Sequence, residues 1–229
     1  MHDEEKIPRG DGEHAIEKEN APAQHALEKE NAHAQPTLAS RAGLKLQHAL
    51  DTFPVQIKNT ICADFGCNIG GFTDVLLRAG ARQVISIDTG YGTLAWRLRN
   101  DPRVVVRERT NALYADVTAG GVDIVVMDLA WTQQKLSVPV ALKWLRAGGK
   151  IISLVKPHYE VEGAEKEWLK NGFLAHEHVP AVVARVREAM HNLGAKVLAD
   201  TASPITGGKS SRRAGSPGNM EWLMLLEAK

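Results

Sequence analysis

Cysteine is nearly missing: Cys62 and Cys67 are the only two in 229 residues. Five positions apart and without further partners, they exclude a disulfide framework and a zinc site of ordinary spacing. Both read as small buried hydrophobes beside an apolar run, and a reducing, cytoplasmic compartment is expected. No apolar run approaches the roughly 20 residues that cross a bilayer. The opening Met1-His2-Asp3-Glu4-Glu5-Lys6 lacks an apolar signal core and is too acidic for a transit peptide. Net charge is scarce too, at +1. That value conceals an asymmetry: nine acids and four bases put residues 1–35 at −5, which leaves +6 on the remainder. A mildly basic body is compatible with RNA but does not require it.

Three nucleotide motifs are also absent. The glycines do not fall as G-x-G-x-x-G, and no Lys-Ser or Lys-Thr follows them as in a phosphate-cradling loop. Asp64-Phe65-Gly66 spells a kinase triplet, but no H-R-D loop precedes it. What is present is an apolar run, Ile61-Cys62-Ala63-Asp64-Phe65, that bends at Gly66, continues through Cys67-Asn68-Ile69-Gly70-Gly71, and enters a helical pattern from Phe72 to Arg78. This is how a parallel strand delivers a ligand to a helix N-terminus. Gly66 suits a backbone angle closed to other residues, and Gly70 and Gly71 let a ligand approach the main chain. The next strand, Val84-Ile85-Ser86-Ile87-Asp88, ends in a carboxylate able to accept two ribose hydroxyls. Together they favour a bound adenosine moiety over an ordinary strand end.

Residues 14–24 and 25–35 match at nine of eleven positions, HAIEKENAPAQ against HALEKENAHAQ. Their apolar residues are mostly alanine, too little to support a core, so residues 1–38 are expected to be a disordered repetitive tail and 39–229 one folded domain. A first helix is expected from Ser40, as N-cap, to Leu50, ended by Phe53-Pro54. Spacing alone leaves Lys45 in it as a solvated lysine. Strands follow at Val104–Val106, Val122–Asp128 and Ile151–Pro157, with a helix from Lys135 to Leu145 stopped by Gly148-Gly149. Asp128 and Lys156 would then close neighbouring strands at the edge where open parallel sheets bind ligands. Arg97, Arg99, Arg103, Arg107 and Arg109 form a basic face around the third strand, equally suited to solvent or phosphates. A long helix from Val179 to Leu193, a sixth strand from Lys196 to Ala199 and a closing strand from Asn219 to Leu226, opened by Glu221, complete the pattern. His176-Glu177-His178 has no third ligand at a convincing spacing and reads as surface.

From Ser40 onward the chain resembles the FtsJ-like ribose 2′-O-methyltransferases, most nearly their hemolysin A (TlyA) branch. The matching stretches are Ser40-Arg41-Ala42-Gly43-Leu44-Lys45-Leu46, Gly70-Gly71-Phe72-Thr73-Asp74, Asp88-Thr89-Gly90-Tyr91-Gly92, Asp101-Pro102-Arg103-Val104, Glu108-Arg109-Thr110-Asn111-Ala112, Asp128-Leu129, Val155-Lys156-Pro157, Ser203-Pro204-Ile205-Thr206-Gly207-Gly208 and Gly218-Asn219-Met220-Glu221. The resemblance implies an α/β fold, a seven-stranded mostly parallel sheet flanked by helices as in Rossmann-like S-adenosylmethionine-dependent methyltransferases. It implies methyl transfer to a ribose 2′-hydroxyl of RNA, with ribosomal RNA as partner, S-adenosylhomocysteine as product, no metal and no membrane. The family's Lys-Asp-Lys-Glu set falls on Lys45, Asp128, Lys156 and Glu221. Its cofactor contacts fall on Gly70, Phe72, Asp88, Asn111 and Asp128, to which the loop reading adds Asp64, Gly66 and Gly71.

Three departures stand out. A repetitive acidic stretch occupies the place of the branch's small front RNA-binding domain. Asp128-Leu129-Ala130-Trp131 replaces the usual Asp-Leu-Ser-Phe, and residues 210–217, with Arg212 and Arg213, read as an insertion. Two readings from other classes fit the same fold: a non-catalytic RNA- or ribosome-binding protein, and a small-molecule methyltransferase.

Overall fold

The computed structural model describes residues 37–207 and 218–229. The repeats within 1–36, Lys209 and the inserted Arg212-Arg213 lie outside the described residues. Seven strands form the main sheet: β1 (Ile61–Phe65), β2 (Gln83–Ile87), β3 (Val104–Arg107), β4 (Val122–Met127), β5 (Leu145–Val155), β6 (Ala195–Ala202) and β7 (Trp222–Ala228). Their spatial order is β3-β2-β1-β4-β5-β7-β6. Neighbours from β3 to β5 pair in parallel, and β7 runs antiparallel between β5 and β6. The order reverses at β1, so the crevice above the C-terminal ends of β1 and β4 is the topological switch point where such sheets bind ligands.

The central strands are apolar along most of their length because both sheet faces are covered. On one face α1 (Gly43–Thr52) and α2 (Gly71–Arg78) bury Leu46, Ala49, Phe72, Val75 and Leu76 against Cys62, Val84 and Ile124. On the other, α4 (Gln134–Trp144) and α6 (Val179–Ala189) close over Phe65, Val125 and Ile151. There Trp144, fully buried, meets Phe65 edge-on at a centroid distance of 5.2 Å, the arrangement that sets ring edge against ring face. Two short helices remain: α3 (Trp96–Arg99), whose Leu98 joins the core on the α1–α2 face, and α5 (Pro157–Glu160), directly after β5 and Lys156.

Several expected boundaries move. Ser40 is not the cap of α1: the helix begins at Gly43 with Ala42 as N-cap, and the Ser40 carbonyl instead accepts the Gly43 N–H in a preceding turn. Gly148-Gly149 does not stop α4, because β5 begins directly after Trp144 and the pair lies inside it, across from a register shift between Val122 and Ile124. The long last helix ends at Ala189 and tightens into a 3-10 turn, Met190–Leu193, before left-handed Gly194. Glu221 stands one residue ahead of β7 rather than opening it. The basic face is largely consumed internally: Arg97 pairs with Asp74, Arg99 with Glu108 and Arg103 with Asp101. Arg107 lies over the Trp144 ring and Arg109 over Tyr91. Both cysteines are buried and free, and burial pushes the Cys62 thiol up to about 12.

Candidate active site

Four charged side chains from separate parts of the fold meet above β1, β4 and β5. Lys45 comes from the first turn of α1, Asp128 follows β4, Lys156 follows β5, and Glu221 precedes β7. Lys156 Nζ lies 2.6 Å from Asp128 Oδ1. Lys45 Nζ lies 2.5 Å from Glu221 Oε2 and 3.8 Å from Asp128 Oδ2. The four therefore form one chain, Lys156–Asp128–Lys45–Glu221, of alternating sign and zero net charge. Lys45 is buried and Glu221 is 3 % exposed, whereas Asp128 and Lys156 keep side-chain exposures of 18 % and 14 %. The buried half is the anchored half, and the partly open half can meet a substrate. Burial raises the Glu221 carboxyl above its ordinary range, and the adjacent Lys45 ammonium opposes that rise. The solvated lysine that helical spacing suggested at position 45 is thus a buried ion-pair member. Its burial requires a partner brought from the far end of the chain.

The predicted cofactor residues gather at the same edge. Asp64, near the end of β1, is fully buried and accepts a hydrogen bond from Thr73 Oγ1 at 2.7 Å. Thr73 Oγ1 lies 2.8 Å from Ser86 Oγ on β2. The other oxygen, Asp64 Oδ1, is buried without a hydrogen-bond partner, and burial lifts the carboxyl to about 7. Gly66 and Gly70 both take left-handed backbone angles, at φ 87° and 100°. Asp88 ties the glycine-rich loop to its own: Oδ2 accepts the Asn68 N–H at 2.9 Å and Oδ1 the Gly90 N–H at 2.7 Å. Each oxygen retains a lone pair for a further donor. Asn111, after β3, spends Oδ1 on the Leu113 N–H at 3.0 Å.

Two predicted residues also have packing roles that their sequence did not suggest. Gly71 is not open to a ligand through missing bulk alone; a Cβ there would lie 2.4 Å from Ser40 Oγ and 2.8 Å from Gly43 N. Its smallness lets α1 dock on α2, which sets where Lys45 stands. The Phe72 ring packs into the core beneath α1, leaving only its main chain for the loop.

Sequence reasoning missed Thr73 and Ser86 as partners of Asp64. The signal was present in β2, where Ser86 is a polar residue within an apolar strand. Asp74 was also missed: its buried carboxylate binds Arg78, Arg97 and the Ala39 N–H and is held below the usual range by those arginines against a desolvation penalty. No group of three or more metal-ligating side chains occurs among the described residues, and no helix among them is long and apolar enough to cross a membrane.

Comparison with known proteins bears on this geometry. The family model described as FtsJ-like methyltransferase matches residues 38–214. YqxC of Bacillus subtilis is 40% identical over 191 residues, which cover 82% of this chain and 64% of that one. The 16S/23S rRNA (cytidine-2′-O)-methyltransferase TlyA of Mycobacterium tuberculosis is 38% identical over 199 residues, covering 83% of this chain and 68% of TlyA. A solved structure from Streptococcus thermophilus, described as a hemolysin, shares 33% identity and a TM-score of 0.76 over 86% of this chain and 69% of its own. The chain thus spans about two thirds of the length of the relatives it matches. With the matched region enclosing Lys45, Asp128 and Lys156, the chain belongs to the FtsJ-like methyltransferase family.

Proposed function

We propose that the protein transfers a methyl group from S-adenosylmethionine to a ribose 2′-hydroxyl of RNA, with ribosomal RNA as the substrate. The observation that carries this reading is the convergence of Lys45, Asp128, Lys156 and Glu221 into one neutral ion chain at the switch point. The residues present suit a cationic cofactor bearing a ribose. Asp64, Asp88 and Asp128 stand at or after the ends of β1, β2 and β4, and Asp64 Oδ1 is a buried acceptor without a donor. Asp88 would hold the ribose hydroxyls, and the loop from Gly66 to Phe72, with Asn111, would frame the adenosine.

When bound, S-adenosylmethionine supplies an electrophilic methyl, activated by its sulfonium. The remaining work is alignment and proton removal, since a ribose hydroxyl is a poor nucleophile. Lys156 Nζ, partly open, orients the hydroxyl; after giving up one of its own protons to solvent, the neutral amine takes the hydroxyl proton as the O–CH3 bond forms and the S–CH3 bond breaks. Asp128 holds Lys156 through Oδ1, and its negative charge would favour a cationic cofactor in the crevice. Lys45, locked by Glu221, steadies Asp128 Oδ2 from the buried side at 3.8 Å and completes the charge-neutral set that frames the ribose. The paired charges keep the site neutral, so no lone ion is left desolvated.

Purified protein with methyl-labelled S-adenosylmethionine and total RNA tests the reading. Label in RNA at a ribose 2′-oxygen is the expected result; label only in small metabolites, or nowhere, would refute it. Lys156→Ala should abolish transfer while calorimetry still detects cofactor binding, and full activity in that variant would remove Lys156 from its role.

A further inference from the structure

Glu221 poses a mechanical problem. Its carboxylate must meet Lys45, yet it lies outside β7, in the segment 218–221 that no strand ladder holds. The support comes from an element that the mechanism does not use. Leu169–Lys170 and Phe173–Leu174 form a small antiparallel ribbon. Its turn, Asn171-Gly172, is left-handed at both residues, with φ of 51° and 78°, as a tight two-residue hairpin requires. The ribbon's Leu174 N–H and Gly172 carbonyl both face Asn219. Leu174 N–H donates to Asn219 Oδ1 at 2.9 Å, and Asn219 Nδ2 donates to the Gly172 carbonyl at 2.8 Å. These two bonds run in opposite senses, so together they fix which way the amide points.

Asn219 works in a second direction through its main chain. Its carbonyl accepts the Gly207 N–H at 2.8 Å in an isolated bridge. Gly207 in turn is pressed onto Glu221, where a Cβ would lie 2.0 Å from Oε1. The Glu221 carbonyl accepts the Ser203 N–H at 2.9 Å. Arg41 Nη2 donates to the Thr206 carbonyl at 2.7 Å, tying residues 203–207 to the segment that leads into α1 and Lys45. Asn219 is therefore the junction at which the ribbon, the 203–207 segment and the approach to β7 meet. It touches neither Lys45 nor Asp128 in any of these contacts.

We propose that Asn219 is a positioning residue that holds the Glu221 carboxylate against Lys45, with the ribbon as its fixed support. This inference rests on the methyl-transfer reading above. Asn219→Ala removes both side-chain bonds, while Asn219→Asp keeps the acceptor for Leu174 N–H and replaces the donor to Gly172. The two variants and Glu221→Gln are made singly, and each Asn219 change is combined with Glu221→Gln. Transfer to RNA is measured under saturating cofactor, with calorimetric cofactor binding and thermal melting alongside.

Asn219→Ala is expected to lower kcat roughly tenfold to a hundredfold, with cofactor affinity changed less than about twofold, and Asn219→Asp to fall in between. In the Glu221→Gln background either change should add less than about twofold, because a residue acting through Glu221 has nothing left to position. Multiplying losses, or an unchanged kcat in both single variants, would overturn the proposal. Should Asn219→Ala fail to fold, Asn219→Asp is read by the same criterion. A wild-type protein that methylates no RNA overturns the underlying reading and this one with it, whereas an active wild type with multiplying losses overturns the role of Asn219 alone.

Discussion

Lys156 Nζ and Asp128 Oδ1 lie 2.6 Å apart, joined across the ends of two adjacent parallel strands. The contact is only partly shielded, so it can be exchanged for contacts to a substrate hydroxyl. Removing the carboxylate charge without changing its shape isolates what it contributes. Asp128→Asn should lower methyl transfer by roughly 10²- to 10⁴-fold, the range in which a positioned proton-transfer group operates. Single-turnover rates on an RNA substrate measure this. A loss below about fivefold would show that Lys156 needs no carboxylate to hold it.

Lys45 and Glu221 are coupled differently, because both are buried. Deleting one member of a buried pair strands the other, which costs about 3 kcal/mol or more. Lys45→Ala should therefore lower the urea midpoint as well as activity. Combining it with Glu221→Gln should restore much of the stability and none of the transfer, since the stranded charge is then gone. Equal destabilisation in the single and double variants would mean that Lys45 contributes packing rather than charge pairing.

How far these residues were legible depended on the reach of the contacts that define them. β1, β2 and β4 could be read from apolar runs, because burial on both faces leaves a continuous signal in one stretch of chain. The C-terminal placement of Asp128 followed from the β4 run, and that of Lys156 from the apolar run 151–155 within β5. Lys45 could not be read by spacing, since its burial depends on Glu221 at the opposite end of the sequence; only the family resemblance reached it. The false helix stop at Gly148-Gly149 has a local cause. Glycine pairs mark helix ends and strand irregularities alike, and here the pair lies in β5. The Asp64–Thr73–Ser86 contact joins β1, α2 and β2, and no periodicity within one element encodes it.

Asp64 makes stability depend on pH in a defined direction. Its carboxyl titrates at about 7 in the folded protein because of burial, with Thr73 opposing, against roughly 3.9 in an unfolded chain. The native state therefore keeps a proton that the unfolded chain releases. Folding stability from this group is complete below about pH 4 and declines as pH rises towards 7, by an amount on the order of a few kcal/mol. Glu160, also lifted to about 7 by burial, acts with the same sign. Asp64→Asn should make the fall in urea midpoint between pH 5 and pH 8 shallower without abolishing it. An identical fall in wild type and variant would show that Asp64 stays ionised in the folded protein.

Gly71 offers a test of whether helix docking, rather than a side chain in the crevice, sets the position of Lys45. A Cβ at residue 71 would meet Ser40 Oγ and Gly43 N, and a Cβ at residue 43 would lie 2.9 Å from Gly71 O. Both are contacts with backbone or with its immediate support, which has little freedom to yield. Gly71→Ala and Gly43→Ala should each force α1 and α2 apart and cost about 1–3 kcal/mol, as overpacking generally does. Because α1 carries Lys45 in its first turn, the same displacement should draw Nζ away from Glu221 and lower transfer about tenfold. The two substitutions act on one seam from its two sides, so their effects on melting temperature and rate should agree. A loss of activity confined to Gly71→Ala, at wild-type melting temperature, would instead mean that residue 71 serves the cofactor loop and not the seating of α1.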